Sequence, residues 1–301
     1  MPRLTAIVLG SAAGGGYPQW NCRCPVCRLA WNGDPRVTPR MQASVAVSGD
    51  GATWTLLNAS PDLRQQIAAT PALHPRGEAR DSPIAAMVLT GAEVDQIAGL
   101  LCLRERQAFA LHATPDTMAV LDGNPVFDVL ARDLVSRRPA RLGERFDLPG
   151  ELAAELFEVP GKVPLYLEAK SADLAATAGG NVGVELVAGG ARLVFVPGAA
   201  SLTPALLQRL ERADAVLFDA TLFADEEMIR AGVGEKTGRR MGHMPIGGLD
   251  GSLALLSGVR KRRVYIHINN TNPVLVEGSP ERRTVEAAGW EIAFDGMRIV
   301  L

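Results

Sequence analysis

The residues with the clearest chemical potential are three cysteines in one short run, Cys22-Arg-Cys24-Pro-Val-Cys27. A C-x-C-x-x-C spacing lets three thiolates converge on one centre within two tight turns, and zinc favours four such donors in a tetrahedron. Three inert buried thiols, or redox use of Cys24 and Cys27, are the competing readings. A structural zinc is favoured, because free thiols rarely crowd together without a metal. The fourth ligand is missing locally and must come from far along the chain. Cys102 lies in the apolar run Leu100-Leu-Cys-Leu103 and is expected in the core.

A second set consists of acids and histidines at the ends of aliphatic runs. Glu93 and Asp95 stand in Thr90-Gly-Ala-Glu-Val-Asp-Gln-Ile-Ala-Gly99, directly after Met87 to Leu89. Asp219 follows Ala215-Val-Leu-Phe218 and precedes Thr221 by two positions. His243 sits in Met241-Gly-His-Met-Pro245, and His267 ends Val264-Tyr-Ile266 before Asn269-Asn-Thr-Asn-Pro273. Carboxylates and imidazoles gathered in strand-end loops can hold a metal or move protons. His74 and His112 lack such settings and are read as structural.

A third candidate, Gly10-Ser-Ala-Ala-Gly-Gly-Gly16, does not form a nucleotide fingerprint. No G-x-G-x-x-G opens a helix here, because Pro18 and Trp20 intervene. Gly161-Lys162 is not a phosphate-binding Walker motif either, since Val163 stands where Ser or Thr should hold magnesium. The glycine run reads better as a loop in which two backbones approach closely.

Short β-branched and aliphatic runs predict the strands that position these residues: Thr5 to Leu9, Ala43 to Val47, Thr53 to Leu57 and Ala85 to Leu89, then Gly183 to Val187, Arg192 to Val196, Ala215 to Phe218, Arg263 to Ile268 and Glu291 to Phe294. Helical patterns lie between them at Asp62 to Ala69, Ile97 to Arg106, Thr114 to Leu121 and Thr203 to Arg212. The last two open with Thr-Pro, a cap followed by proline at the first helical position. Two clusters of strands with helices between them predict two sheets with outer helices.

Composition narrows the function classes. The chain has 301 residues with 31 Lys and Arg against 33 Asp and Glu, so its formal net charge of -2 argues against a nucleic-acid partner. Aromatics at 5% also leave no material for base-stacking platforms. The most apolar stretch, Leu193 to Gln208, is broken by Pro197, Gly198 and Pro204, so no membrane span is expected. Arg3 and the six-residue run Leu4 to Leu9 faintly imitate a signal peptide, but a strand entering a glycine loop explains them better. With few, clustered cysteines the expected compartment is the cytoplasm. The oligomeric state is left open, a homodimer included.

The order of these motifs resembles the metallo-β-lactamase fold family, whose hallmark is T-H-x-H-x-D-H-x-x-G. Thr90, Asp95 and Gly99 fall on that template, while its histidine positions hold Gly91, Glu93 and Gln96. Val159-Pro-Gly-Lys-Val163 looks like the family's next metal loop, with Lys162 in place of a histidine. Asp219 matches the bridging aspartate, His267 the final histidine, and His243 the extra histidine of the phosphodiesterase and tRNA-processing branch. A narrower resemblance, from about Leu9 to the C-terminus, is to the branch that serves biosynthesis of the redox cofactor pyrroloquinoline quinone. It rests on Gly10 to Cys22, the cysteine run, Asn58-Ala-Ser-Pro-Asp-Leu-Arg64, Leu103-Arg-Glu105, Met241-Gly-His243 and His267-Ile-Asn-Asn-Thr-Asn-Pro273.

This resemblance implies an α/β chain forming one four-layer αββα domain over residues 1–301, with the site at the sheet edges. It also implies a second metal. His243, His267 and carboxylates from Asp95, Asp219 and Glu93 remain as donors, too few imidazoles for a dinuclear zinc hydrolase. Two imidazoles with one carboxylate match non-heme Fe(II) oxygenases. The implied activity is O2-dependent hydroxylation of the tyrosine ring in a Glu-Tyr-derived precursor of the quinone, with His243, Asp95 and Lys162 acting at the site. Lys162 would pair with a precursor carboxylate. Transport of the quinone or its precursor to the periplasm, as a carrier, and metal-dependent hydrolysis are the alternatives. For the zinc at the cysteines, the fourth ligand suggested is Asn270, at a spacing from His267 where a related phosphodiesterase branch has a histidine.

Overall fold

The computed structural model describes residues 3–77, 79–162 and 180–301. Val163, at the end of the expected metal loop, lies outside the described residues.

Fourteen strands among the described residues form two seven-stranded sheets. The first runs in the order β14 (Arg298–Val300), β1 (Thr5–Gly10), β2 (Ser44–Ser48), β3 (Trp54–Leu57), β4 (Ile84–Val88), β5 (Phe109–Ala113) and β6 (Val135–Pro139). The second runs β13 (Glu291–Ile292), β12 (Arg262–Ile266), β11 (Ala215–Asp219), β10 (Ala191–Val196), β9 (Val182–Ala188), β8 (Leu152–Glu158) and β7 (Arg145–Leu148). Pairing is parallel from β3 to β6 and from β10 to β13, and antiparallel elsewhere.

Period-two alternation along the strands builds the layers, since successive side chains leave opposite faces. Leu193 and Phe195 of β10 join Ala6, Val8, Val45, Val88 and Leu186 in a core between the sheets. Val194 and Val196 of the same strand turn outward onto Leu206 and Leu210 of α5 (Pro204–Arg212). On the other side Ile7, Ala46, Leu56 and Met87 pack against Leu63 of α2 (Leu63–Ala69) and Met118 and Leu121 of α4 (Pro115–Asp122). The order is helices, sheet, sheet, helices, the expected αββα sandwich. Thr114 and Thr203 cap α4 and α5 as the Thr-Pro signals predict, accepting from the backbone N–H of Thr117 and Leu206.

Three sequence expectations need correction. The helix expected over Ile97 to Arg106 is instead the short α3 (Val94–Ile97) followed by a 3-10 turn over Ala98–Leu103. The cause is Gly99: its N–H bonds Ala59 O at 2.8 Å, and a Cβ there would collide with the carbonyls of Ser60 and Ala59. Cys102, expected in the core, is exposed, because the tighter turn rotates it to the outside. The last strand of the second sheet is only Glu291–Ile292, although Ala293 N still bonds Tyr265 O at 2.8 Å.

The glycine run behaves as a close-approach loop. A side chain at Gly10 would strike the carbonyls of Gln42 and Met41. Just beyond, Ala12 bridges both Gln42 and Ile268, so the loop ties the first sheet to the residue after His267.

Candidate metal centre

Parallel strands end at the same edge, and that edge assembles the site. β10, β11 and β12 run side by side, so the loops after Val196, Asp219 and Ile266 emerge together. β3 and β4 do the same in the facing sheet, where Asn58 holds Thr90 by two bonds of 2.9 Å, Nδ2 to Oγ1 and Thr90 N to Oδ1. Asp95 follows in the first turn of α3.

Asp219, His243 and His267 come within 4.8 Å of one another. His243 Nδ1 lies 2.7 Å from Asp219 Oδ2, and His267 Nε2 lies 3.0 Å from Asp95 Oδ2. The two imidazoles stack at 5.3 Å between centroids and 20° between planes. His267 has a left-handed backbone with φ of 60°, which costs a non-glycine residue about 1 kcal/mol or more. Its neighbour pins it there: Ile268 N bonds Ser11 O and Ala13 N bonds Ile268 O, both at 2.9 Å.

Asp219 is wholly buried, and both its oxygens are occupied. Oδ1 accepts from Thr221 N at 3.0 Å and Thr221 Oγ1 at 2.6 Å, while Oδ2 accepts from Ala199 N at 3.0 Å and from His243. Burial alone would raise its pKa, but the charges of His243 and His267 and their hydrogen bonds outweigh it and hold Asp219 well below the usual carboxylate range. Burial likewise opposes the charge on His267, yet the carboxylates of Asp219 and Asp95 carry its pKa up to about 10. Asp95 is lowered in turn, burial being overcome by the hydrogen bond and charge of His267.

The donors suit one ion. The 3.0 Å from Asp95 Oδ2 to His267 Nε2 is a hydrogen bond here, and it equals the separation of two neighbouring ligands held at about 2.1 Å and a right angle. Gln96, in a template histidine position, is otherwise engaged: its Oε1 accepts from Glu93 N at 3.0 Å and its Nε2 donates to Thr90 Oγ1 at 3.3 Å. A side chain at Gly91 would press on Gln96 Oε1 and the carbonyl of Gly180. Glu93 faces Lys162, Oε1 to Nζ at 3.8 Å, and stands outside the carboxylate–imidazole cluster.

These groups open onto a cavity of about 560 Å³, lined among others by Gln19, Lys162, Asn181, Met228, Lys236 and Met241. That volume falls in the range of roughly 300–1,000 Å³ typical of small-molecule sites. Sequence reasoning found the acids, histidines and Lys162 but passed over Asn181, whose Nδ2 bonds Gly198 O at 3.0 Å, and Thr221, whose hydroxyl lies at the centre of the cluster. An asparagine or threonine in a loop carries no signal of its own.

The cysteines form a second centre. Cys22, Cys24 and Cys27 are buried, and their sulfurs lie within 4.8 Å of one another. The segment folds this way because α1 (Pro25–Trp31) starts inside it: Cys24 Sγ accepts from Cys27 N at the cap, and Cys22 Sγ accepts from Cys24 N, both at 3.4 Å. The hydrogen bond between Cys24 and Cys27, then burial, pushes the Cys24 thiol up, and the same bond lowers Cys27. Asn270 closes the fourth side, with Nδ2 at 3.1 Å from Cys22 Sγ and 3.3 Å from Cys27 Sγ. Turning that amide over exchanges its nitrogen for its oxygen, the donor a metal would need. His74 and His112 take no part. His74 bonds Ala68 O, and His112 stacks on Phe146 with its pKa lowered to about 4 by burial.

Beside the cavity, Glu227 opens α6 (Glu227–Arg230) and accepts from Thr271 Oγ1 at 2.6 Å and Phe223 N at 2.8 Å. Burial outweighs those bonds and raises its pKa to about 7. A raised carboxyl contributes stability that is complete below its unfolded value near 4.5 and lost as pH rises through 7. Glu227→Gln, a mimic of the protonated form, should therefore match the parent at pH 4.5 and exceed it at pH 8.5. The gap has a ceiling of about 3 kcal/mol. Chemical denaturation at both pH values measures it, and parallel pH profiles would refute the assignment.

Comparison with known proteins places the chain among relatives. Residues 53–268 match the β-lactamase superfamily domain. A coenzyme PQQ synthesis protein B from Methylobacterium nodulans is 58% identical over 299 residues, covering 99% of this chain and 100% of that one. The crystal structure of Zn(2+)-bound PqqB from Methylobacterium extorquens superposes with a TM-score of 0.97 at 55% identity, over 99% of this chain and 100% of the other. A diphosphatase of the PhnP family shares the fold at TM-score 0.69 and 22% identity, over 99% and 97% of the two chains.

Proposed function

Because this chain belongs to the coenzyme PQQ synthesis protein B family, within the β-lactamase superfamily, we propose that it is an iron-dependent hydroxylase of pyrroloquinoline quinone biosynthesis. Its substrate is a Glu-Tyr-derived precursor, hydroxylated on the tyrosine ring with O2. His243, His267 and Asp95 would hold Fe(II), which when bound supplies one-electron chemistry with dioxygen that zinc lacks. Asp219, with its oxygens already spent, fixes the orientation of His243 through Nδ1 and directs Nε2 away from itself.

The observation that carries this reading is the engagement of Gln96 with Glu93 N and Thr90, which removes a donor that a second ion would need. Two-metal hydrolysis needs ions roughly 3.5–4 Å apart, each with its own donors. Lys162 lines the cavity beside Glu93 and meets a precursor carboxylate there. The methionines Met228 and Met241 give the ring an apolar wall. Cys22, Cys24, Cys27 and Asn270 would hold a structural zinc, and buried reduced thiols of this kind suit a cytoplasmic protein.

The test is anaerobic loading with Fe(II), addition of precursor and a two-electron donor, then labelled O2. Label in the aromatic ring is the expected result. Cleavage products without oxygen uptake would establish a hydrolase instead. Tight binding of quinone or precursor without turnover would establish a carrier, the form that transport to the periplasm requires. Within the proposal, Lys162→Met should weaken precursor binding about tenfold, as the loss of a charged hydrogen bond does, and leave Fe(II) affinity unchanged. Calorimetry of each ligand separately measures the split, and equal loss of both would remove Lys162 from substrate recognition.

A further inference from the structure

We infer that Thr221 is the positioning residue of the metal centre: its hydroxyl holds the Nδ1 proton of His267 and so presents Nε2 to the ion. Thr221 is 5% exposed and follows the end of β11. Its Oγ1 lies 2.6 Å from Asp219 Oδ1, 2.9 Å from His267 Nδ1, 3.0 Å from His243 Nδ1 and 3.2 Å from His267 O. No other hydroxyl among the described residues bonds both imidazoles.

A hydroxyl has one proton and two lone pairs. The carboxylate of Asp219 only accepts, so the Thr221 proton goes to Oδ1, the shortest of the four contacts. The lone pairs of Oγ1 then accept from the imidazoles. For His243 this bond supplements the stronger one to Asp219 Oδ2 at 2.7 Å. For His267 it stands nearly alone, because the nearest carboxylate oxygen to Nδ1, Asp219 Oδ1, is 3.8 Å away. Nδ1 of His267 therefore keeps its proton on Thr221. Nε2, on the far side of the ring, faces Asp95 at 3.0 Å and the cavity. An ion replaces only the Nε2 proton, which leaves to solvent. Ligating histidines characteristically donate their other N–H to a neighbour that fixes the ring, and the loss of such a neighbour costs 10–100-fold in metal affinity.

The inference rests on the metal centre proposed above but not on its chemistry, so the probe is Zn(II) added to protein whose cysteine site is already filled. Thr221→Val keeps the shape and removes the hydroxyl, and Thr221→Ser restores it. Expected are a Zn(II) affinity at the second site at least tenfold weaker in Thr221→Val, and parent-like affinity in Thr221→Ser. Nitrogen-15 spectra of the zinc-loaded parent and serine variant should show His267 protonated at Nδ1 and ligated through Nε2. If Thr221→Val melts early, Thr221→Ala carries the same readouts. Parent-like affinity and an unchanged Nδ1–H signal in a folded hydroxyl-free variant would overturn the inference, as would serine failing to rescue. Failure of zinc to bind the parent at a second site would instead refute the metal centre itself.

Discussion

His267→Ala is expected to abolish ion uptake at the strand-end centre, with affinity falling more than about 100-fold, while the cysteine-bound ion stays. Nε2 is the ring nitrogen facing Asp95, and no third imidazole among the described residues joins the cluster to replace it. A stability cost accompanies the loss. Removing the imidazole leaves the buried Asp219 and the half-buried Asp95 with one cation fewer, a change worth about 3 kcal/mol. Metal analysis after dialysis and a melting curve check both parts. Loss of both ions together would mean global unfolding, and loss of neither would mean that the donors are wrongly assigned.

Cys24→Ser should remove the other ion and lower the melting temperature by about 5 °C. Metal-binding energy at a closed thiolate site is folding energy. In a chain with this much independent core a share of about 3 kcal/mol is reasonable, and with an unfolding entropy of roughly 2.1 cal/mol/K per residue each kcal/mol moves the midpoint of a 301-residue chain by just under about 2 °C. Cys24 also caps α1 through its sulfur, and a serine hydroxyl keeps that cap, so the change reads the loss of the ion rather than of the helix. Cys102→Ser is the control: that thiol is exposed and should alter neither zinc content nor melting. Zinc-free protein with unchanged melting in Cys24→Ser would refute a structural ion.

Much of the sandwich was legible because buried strands need unbroken aliphatic runs. Ala215–Asp219 and Ala191–Val196 are of this kind, and both match within a residue or so. β8 was missed for the opposite reason. Leu-Ala-Ala-Glu-Leu-Phe-Glu consists of helix formers, and only pairing with β7 and β9 makes it extended. β6 was invisible as an exposed, arginine-bearing edge strand ending in proline. At the site, residue types with inherent chemistry stood out and their supports did not. Asp219 resembled a ligand by position, and a carboxylate oxygen of it lies within 4.8 Å of ring nitrogens of His243 and His267, but its bonds to Ala199 N and Thr221 appear only in three dimensions. Gln96 was visible as a missing histidine, but its bonds to Glu93 N and Thr90 appear only in three dimensions.

The four residues from His267 to Asn270 reach from one centre to the other. At one end His267 meets Asp95, at the other Asn270 meets the sulfurs, and Ile268 between them is clamped to Ser11 and Ala13. With ions at both, two sites sharing so short a lever would form a thermodynamic cycle rather than stand as independent sites. Whatever factor a filled cysteine site adds to the affinity at His267, an ion at His267 must return to the cysteine site. Emptying either centre with a selective chelator would then change the affinity of the other by one and the same factor, whichever of the two is emptied.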